Sequence, residues 1–78
     1  MQIAFWLAET AVGKIKEVLK AVKGVEGVKM AYSTTGPYDI IAVVEGEDLN
    51  AVGVVIQNKL HTIPGIVRTT ICLSVELS

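Results

Sequence analysis

Near the start of the chain Ile3, Phe5 and Leu7 alternate with Gln2, Ala4, Trp6 and Ala8, the period of two expected of a β-strand. Thr10 follows as a residue able to cap a helix, because its hydroxyl accepts from the free N–H groups of a first turn. Val12, Ile15, Leu19 and Val22 then recur at spacings of three, four and three, a single apolar stripe. Gly24 ends that helix. After Gly27 the period returns to two: Val28, Met30 and Tyr32 alternate with Lys29, Ala31 and Ser33. Gly36-Pro37 makes a turn into a third strand, Tyr38 to Glu45, apolar on both faces. Asp48 is placed to cap a second helix with Leu49, Val52, Ile56 and Leu60 as its stripe, widened by Ala51, Val54 and Val55. A turn at residues 61–65 opens a last strand carrying Val67, Thr69, Ile71, Leu73 and Val75.

The order is βαβ twice, and the chain partly repeats itself. Val22-Lys23-Gly24-Val25-Glu26-Gly27-Val28 and Leu60-His61-Thr62-Ile63-Pro64-Gly65-Ile66 place apolar, turn and apolar residues alike. Two such units interleave into a four-stranded antiparallel sheet with both helices on one face, an α+β fold of the ferredoxin-like βαββαβ type. Residues 1–78 read as a single domain. Which sheet face meets the helices is judged from size. Ile3, Phe5, Leu7, Val28, Met30, Tyr32, Ile71, Leu73 and Val75 form the bulkier set, expected beneath the helices. Ala4, Trp6, Ala8, Ala31, Thr70, Cys72 and Ser74 form the other, expected to meet the sheet of a second copy.

Composition sharpens that expectation. Apolar residues make up 51% of a 78-residue chain and charged residues only 19%, more apolar material than so small a core hides. Self-association is the first inference. The formal charge is −1, and the seven cations are spread thinly, which argues against direct nucleic-acid binding. The single Cys72 excludes an intrachain disulfide and any paired-cysteine motif. The apolar start lacks a basic leader and a cleavage site, and no run approaches the ~18 apolar residues of a membrane span, so a cytoplasmic location is expected.

Catalytic chemistry is sparse. His61 has no second His and no acid cluster beside it, and Cys72 has no partner in the pattern to activate it. The chain is read as a non-enzyme without a cofactor or metal. Binding chemistry is better represented. Asp39, directly after the Gly36-Pro37-Tyr38 turn, is either an acceptor for a ligand's ammonium or a turn residue bonding backbone N–H groups. Tyr38 is a pocket wall or plain packing. Thr69 and Thr70 are strand residues that also carry hydroxyl donors. Trp6 is a packing anchor or, on a strand face, an interface residue.

Thr35-Gly36-Pro37-Tyr38-Asp39-Ile40-Ile41, then Asp48-Leu49 opening a helix, then Ile63-Pro64-Gly65-Ile66-Val67-Arg68-Thr69, closely resemble the effector-binding module of Lrp/AsnC transcription regulators, also called the RAM domain. The resemblance spans residues 1–77, and the chain looks like a stand-alone module that begins at the first strand. It implies sheets paired face to face into homodimers, dimers joined into a larger ring, and an amino-acid effector at the dimer–dimer contact. By match, Gly36, Tyr38 and Asp39 belong to the effector loop and Thr69 to the last-strand motif. Where the family often has Thr-x-Thr this chain has Thr69-Thr70-Ile71, so the second hydroxyl is either absent or displaced to Thr70. The resemblance also implies full-length Lrp/AsnC regulators as partners in assembly. The expected function is an amino-acid-binding regulatory and assembly module; the alternative is a purely structural oligomer with no physiological ligand.

Overall fold

The computed structural model describes residues 1–77. The elements run β1 (Gln2–Thr10), α1 (Ile15–Lys23), β2 (Val28–Ser33), β3 (Ile40–Gly46), α2 (Leu49–Val55) and β4 (Ile66–Leu73). The four strands form one sheet in the order β2-β3-β1-β4, each neighbouring pair antiparallel. This is the βαββαβ arrangement expected from the hydrophobic periods. The two halves interleave because β1 and β3 pair at the centre, Trp6 opposite Ala42 and Ala8 opposite Ile40. No helix among the described residues is long and apolar enough to cross a membrane.

Asp48 caps α2 as its position implied: its Oδ1 accepts from the Ala51 N–H at 2.8 Å. Val52, Ile56 and Leu60 are buried, and Leu49 is exposed. Beyond Val55 the helix widens to a π-turn over Ile56–Leu60, closed by the His61 N–H on the Ile56 carbonyl at 2.9 Å. The first helix starts later than the stripe suggested. Thr10 stays in β1 and caps nothing, Val12 is fully exposed, and a turn bonded from the Lys14 N–H to the Ala11 carbonyl leads into Ile15. The buried positions of α1 are Val18 and Val22, with Leu19 at the edge and Ile15 largely outside. Beginning the helix one turn later rotates the face that meets the sheet.

The sheet faces require the main correction. On β1 and β2 the small set lies under the helices: Ala4, Trp6 and Ala8 have 0% exposure and Ala31 has 5%. Phe5, Met30 and Tyr32 are instead on the outer face, each more than two-fifths exposed. Residues opposite each other in an antiparallel ladder share a face. Ile71 and Leu73, opposite Trp6 and Ala4, therefore stand on the helix side as expected; Thr70 and Cys72, opposite Leu7 and Phe5, stand on the outer side. The physical reason is closeness of approach. Ala4, Ala8, Ala31 and Ala42 raise little height above the sheet, so α1 and α2 come down on it, and Trp6 with Ile40 and Val44 fills the space beneath them.

Of the two roles read for it, Trp6 takes that of packing anchor in the core and not that of an interface residue. Burying the indole is worth roughly 4–6 kcal/mol by area. Its N–H finds no acceptor among the described residues, a cost of about 1–3 kcal/mol that the ring's burial exceeds. Trp6→Ala should therefore cost about 3–5 kcal/mol, a large part of the stability of a domain this size, read as a fall in the denaturant midpoint. A change below about 1 kcal/mol would return Trp6 to the surface.

Candidate functional site

One end of the sheet gathers most of the chemistry. The connection from β2 to β3, residues 34–39, is a tight loop closed on itself. The Thr34 N–H donates to the Asp39 carbonyl at 2.8 Å, and the Thr34 hydroxyl donates to the Tyr38 carbonyl at 2.7 Å. Gly36 turns it at φ +119°, a conformation L side chains rarely adopt, although a Cβ there would meet open space. The requirement at Gly36 is conformational rather than steric. The loop is joined to β1 by the Asp39 N–H, which donates to the Ala8 carbonyl at 2.9 Å.

Asp39 adds a second tie to β1. Its Oδ2 accepts from the Thr10 backbone N–H at 2.8 Å and from the Thr10 hydroxyl at 3.3 Å. Thr10 lies one step beyond the end of the β1–β3 ladder, whose last pair is Ala8 and Ile40, so its N–H on that side has no strand partner. The carboxylate satisfies it. This structural duty coincides with the second of the two roles read for Asp39 from sequence, with the bonded N–H coming from a neighbouring strand rather than from the turn itself. The duty engages one oxygen; Oδ1 takes no hydrogen bond among the described residues.

Tyr38 and Thr70 come together. The Tyr38 hydroxyl lies 2.8 Å from Thr70 Oγ1, and because β1 separates β3 from β4, this bond reaches across a whole strand. Thr69 does not join them. It lies opposite Ala8 and therefore on the helix side, where its Oγ1 is 3.3 Å from His61 Nε2. Of the five residues picked from sequence, Gly36, Tyr38, Asp39 and Thr70 thus form one neighbourhood, and Thr69 faces away from it. Near the same end, Arg68 and Glu9 form an exposed ion pair at 3.7 Å, worth little in water.

Two participants escaped sequence reading in these roles. Thr10 had been read as a helix cap, and its partner lies 29 residues away in the chain. His61 reads from sequence as a lone histidine in a turn; the π-turn and the strand that follows bring it to Thr69. The nearest sequence signal for the second pair is its separation of only eight residues across the Pro64-Gly65 turn. On the helix side, Val52, Ile56, Ile71 and Leu73 line a mostly apolar groove of about 340 Å³ between α2 and β4, with Gln57 and His61 on its wall. The outer-side neighbourhood offers acceptor and donor groups with no nucleophile activated by a base, which suits holding a polar small molecule better than transforming one.

Comparison with known proteins establishes the family of the fold. The family model described as the Lrp/AsnC ligand binding domain matches residues 3–77. The HTH-type transcriptional regulator LysM of Saccharolobus solfataricus is 34% identical over 53 residues, a match covering 68% of this chain and 37% of that protein. The crystal structure of FFRP-DM1 superposes with a TM-score of 0.89 at 35% identity, covering 96% of this chain and 100% of that one. The structure of AsnC from E. coli superposes equally well, TM-score 0.89 at 25% identity, over 97% of this chain and 52% of that one. The chain therefore spans about a third of the length of the LysM regulator it matches and half that of AsnC. With residues 3–77 matched, a span that holds both helices and all of the sheet but Gln2, this chain belongs to the Lrp/AsnC family, as a ligand-binding domain of that family.

Proposed function

We propose that the chain is a non-enzymatic amino-acid-binding module that assembles with itself and modulates Lrp/AsnC-type transcription regulators. The observation that carries the reading is the Asp39 carboxylate at the end of the 34–39 loop, which Thr10 of β1 anchors through one oxygen while the other stays available. A free amino acid is a zwitterion. It needs an acceptor for ammonium, which Asp39 supplies, and donors for carboxylate, which Tyr38, Thr70 and the N–H groups around Gly36 supply. An acceptor already fixed by the fold loses little further freedom on binding. Thr69, on the opposite face, serves the ligand only through a neighbouring copy or through its contact with His61. This role puts the module in the cytoplasm, alongside the regulators it modulates.

Self-assembly is supported by the outer sheet face. Phe5, Met30 and Tyr32 are exposed there beside Ile3, Leu7, Ile41 and Val43, a contiguous apolar surface with no helix over it. Surfaces of this kind mark interfaces. A second sheet laid face to face about 10 Å away would cover it, giving a homodimer that larger rings are built from. A ligandless scaffold is the second reading, favoured by one observation: Asp39 already has a structural duty toward Thr10.

Three measurements separate these readings. A thermal-shift screen of the twenty amino acids should find one that raises the melting temperature, since a ligand binding only the folded assembly must stabilise it; no shift from any of them would favour the scaffold. With that amino acid, Asp39→Asn should weaken calorimetric affinity about tenfold or more, because a charge-assisted hydrogen bond is worth roughly 1.5–3 kcal/mol. Asp39→Ala should in addition lower the stability of the free protein by about 1–3 kcal/mol, through the Thr10 N–H it leaves unpaired. Unchanged affinity in Asp39→Asn would remove Asp39 from the site. Finally, Phe5→Lys should shift the light-scattering mass from dimer or larger to monomer while the chain stays folded, because an unpaired charge cannot be buried cheaply between two sheets. A wild-type monomer at micromolar concentration would refute assembly altogether.

A further inference from the structure

We infer that the hydrogen bond from Tyr38 to Thr70 is a mechanical link between the candidate ligand loop and the outer sheet face, so that loop order and self-association bias one another. The inference rests on the assembly reading above, and goes beyond it by naming the residue pair through which the loop would sense association. Tyr38 belongs to the loop: its carbonyl accepts from the Thr34 hydroxyl at 2.7 Å, and its neighbour Asp39 is tied to β1. Thr70 belongs to the outer face, since its ladder partner is Leu7 and it lies two residues from Cys72, the partner of Phe5. The 2.8 Å contact between the two hydroxyls thus joins the loop to the rim of the apolar surface on the far side of β1.

The other hydrogen bonds of the loop run only to β1 and within the loop, so they hold its base, and the Tyr38 hydroxyl adds the bond that ties its tip to β4. Thr70 is exposed and Tyr38 is half-buried, so in the single subunit this bond competes with water and opens readily. A second sheet against the outer face would exclude that water and strengthen the bond. Association would then order the loop. By linkage, whatever orders or displaces Tyr38 alters association by the same factor. Tyr38 is in this sense a positioning residue rather than a plain pocket wall.

The test needs no ligand. Hydrogen exchange of the amides of residues 34–39 is followed in wild type, in Phe5→Lys, in Tyr38→Phe and in the Tyr38→Phe/Phe5→Lys double variant, with Thr70→Val as a second way to break the contact. In wild type, separating the subunits by Phe5→Lys should speed loop exchange severalfold. In Tyr38→Phe the loop should already exchange at that faster rate, and adding Phe5→Lys should change it little, while amides of β1 and β3 remain protected in every variant. Loop exchange that responds to Phe5→Lys equally with and without the tyrosine hydroxyl overturns the link. A wild-type protein that is monomeric overturns it as well, since one end of the link would then have nothing to sense. Ligand binding provides the separate arm. If an amino acid binds, its effect on the dimer dissociation constant, compared at concentrations that calorimetry shows to saturate each protein, should be severalfold in wild type and close to none in Tyr38→Phe; an equal effect in both saturated proteins also counts against the link. If none binds, the sensing role fails while the exchange result still decides whether the link exists.

Discussion

Trp6 sits at the centre of β1 with no exposure, flanked on its strand by Ala4 and Ala8 and facing Ala42 across the ladder. One large ring among small residues sets the distance at which two helices can lie on a four-stranded sheet. Val18 and Val22 from α1, and Val52, Ile56 and Leu60 from α2, close over that platform. Were the alanines larger, the helices would be lifted and the ring left with space around it. Close packing of this kind tolerates little change in volume, so the rest of the fold depends on it.

Committing the small residues to the core has a consequence on the other side of the sheet. Side chains alternate strictly along a strand, so placing Ala4, Trp6 and Ala8 under the helices sends Ile3, Phe5 and Leu7 outward. Part of the apolar surplus visible in the composition therefore lies on the outer sheet face, at Phe5, Met30 and Tyr32. The helix side has its own uncovered margin at β4, where Ile71 and Leu73 border α2 without being buried by it. Both features follow from a chain with more apolar side chains than two short helices can cover.

The chemistry lies where the strands end. Where the β1–β3 ladder ends, the Thr10 N–H has no strand partner, and Asp39 replaces it from the neighbouring loop. The same loop uses Gly36 for a left-handed turn and sends Tyr38 across to β4. The structural bonds engage only Oδ2, so the structural role of Asp39 is compatible with the binding role proposed for it. The two readings differ in whether Oδ1 finds a partner, not in where the side chain stands.

Much of this was legible in the residues themselves. The alternating runs around Phe5 and Met30, the cap at Asp48 and the turn at Gly36-Pro37 each report a local preference, and local preference suffices to order the elements as βαββαβ. The motif from Gly36 to Asp39 likewise marked the loop. The face of the sheet that the helices cover was not legible, because both sets of alternating residues are apolar and parity alone does not rank them. Bulk pointed to Phe5 and Met30, whereas close approach of the helices selected Ala4, Trp6 and Ala31. The start of α1 was hidden for a similar reason: Thr10 has the chemistry of a cap, but a longer β1 and an acceptor 29 residues away claimed its N–H first. The sequence by itself determined the elements, their order and the loop that carries the polar groups, since these depend on neighbours along the chain. Only the tertiary structure decided which face became core, that Thr70 and not Thr69 joins Tyr38, and that His61 meets Thr69, because each depends on which side of a strand meets something brought from far away in sequence.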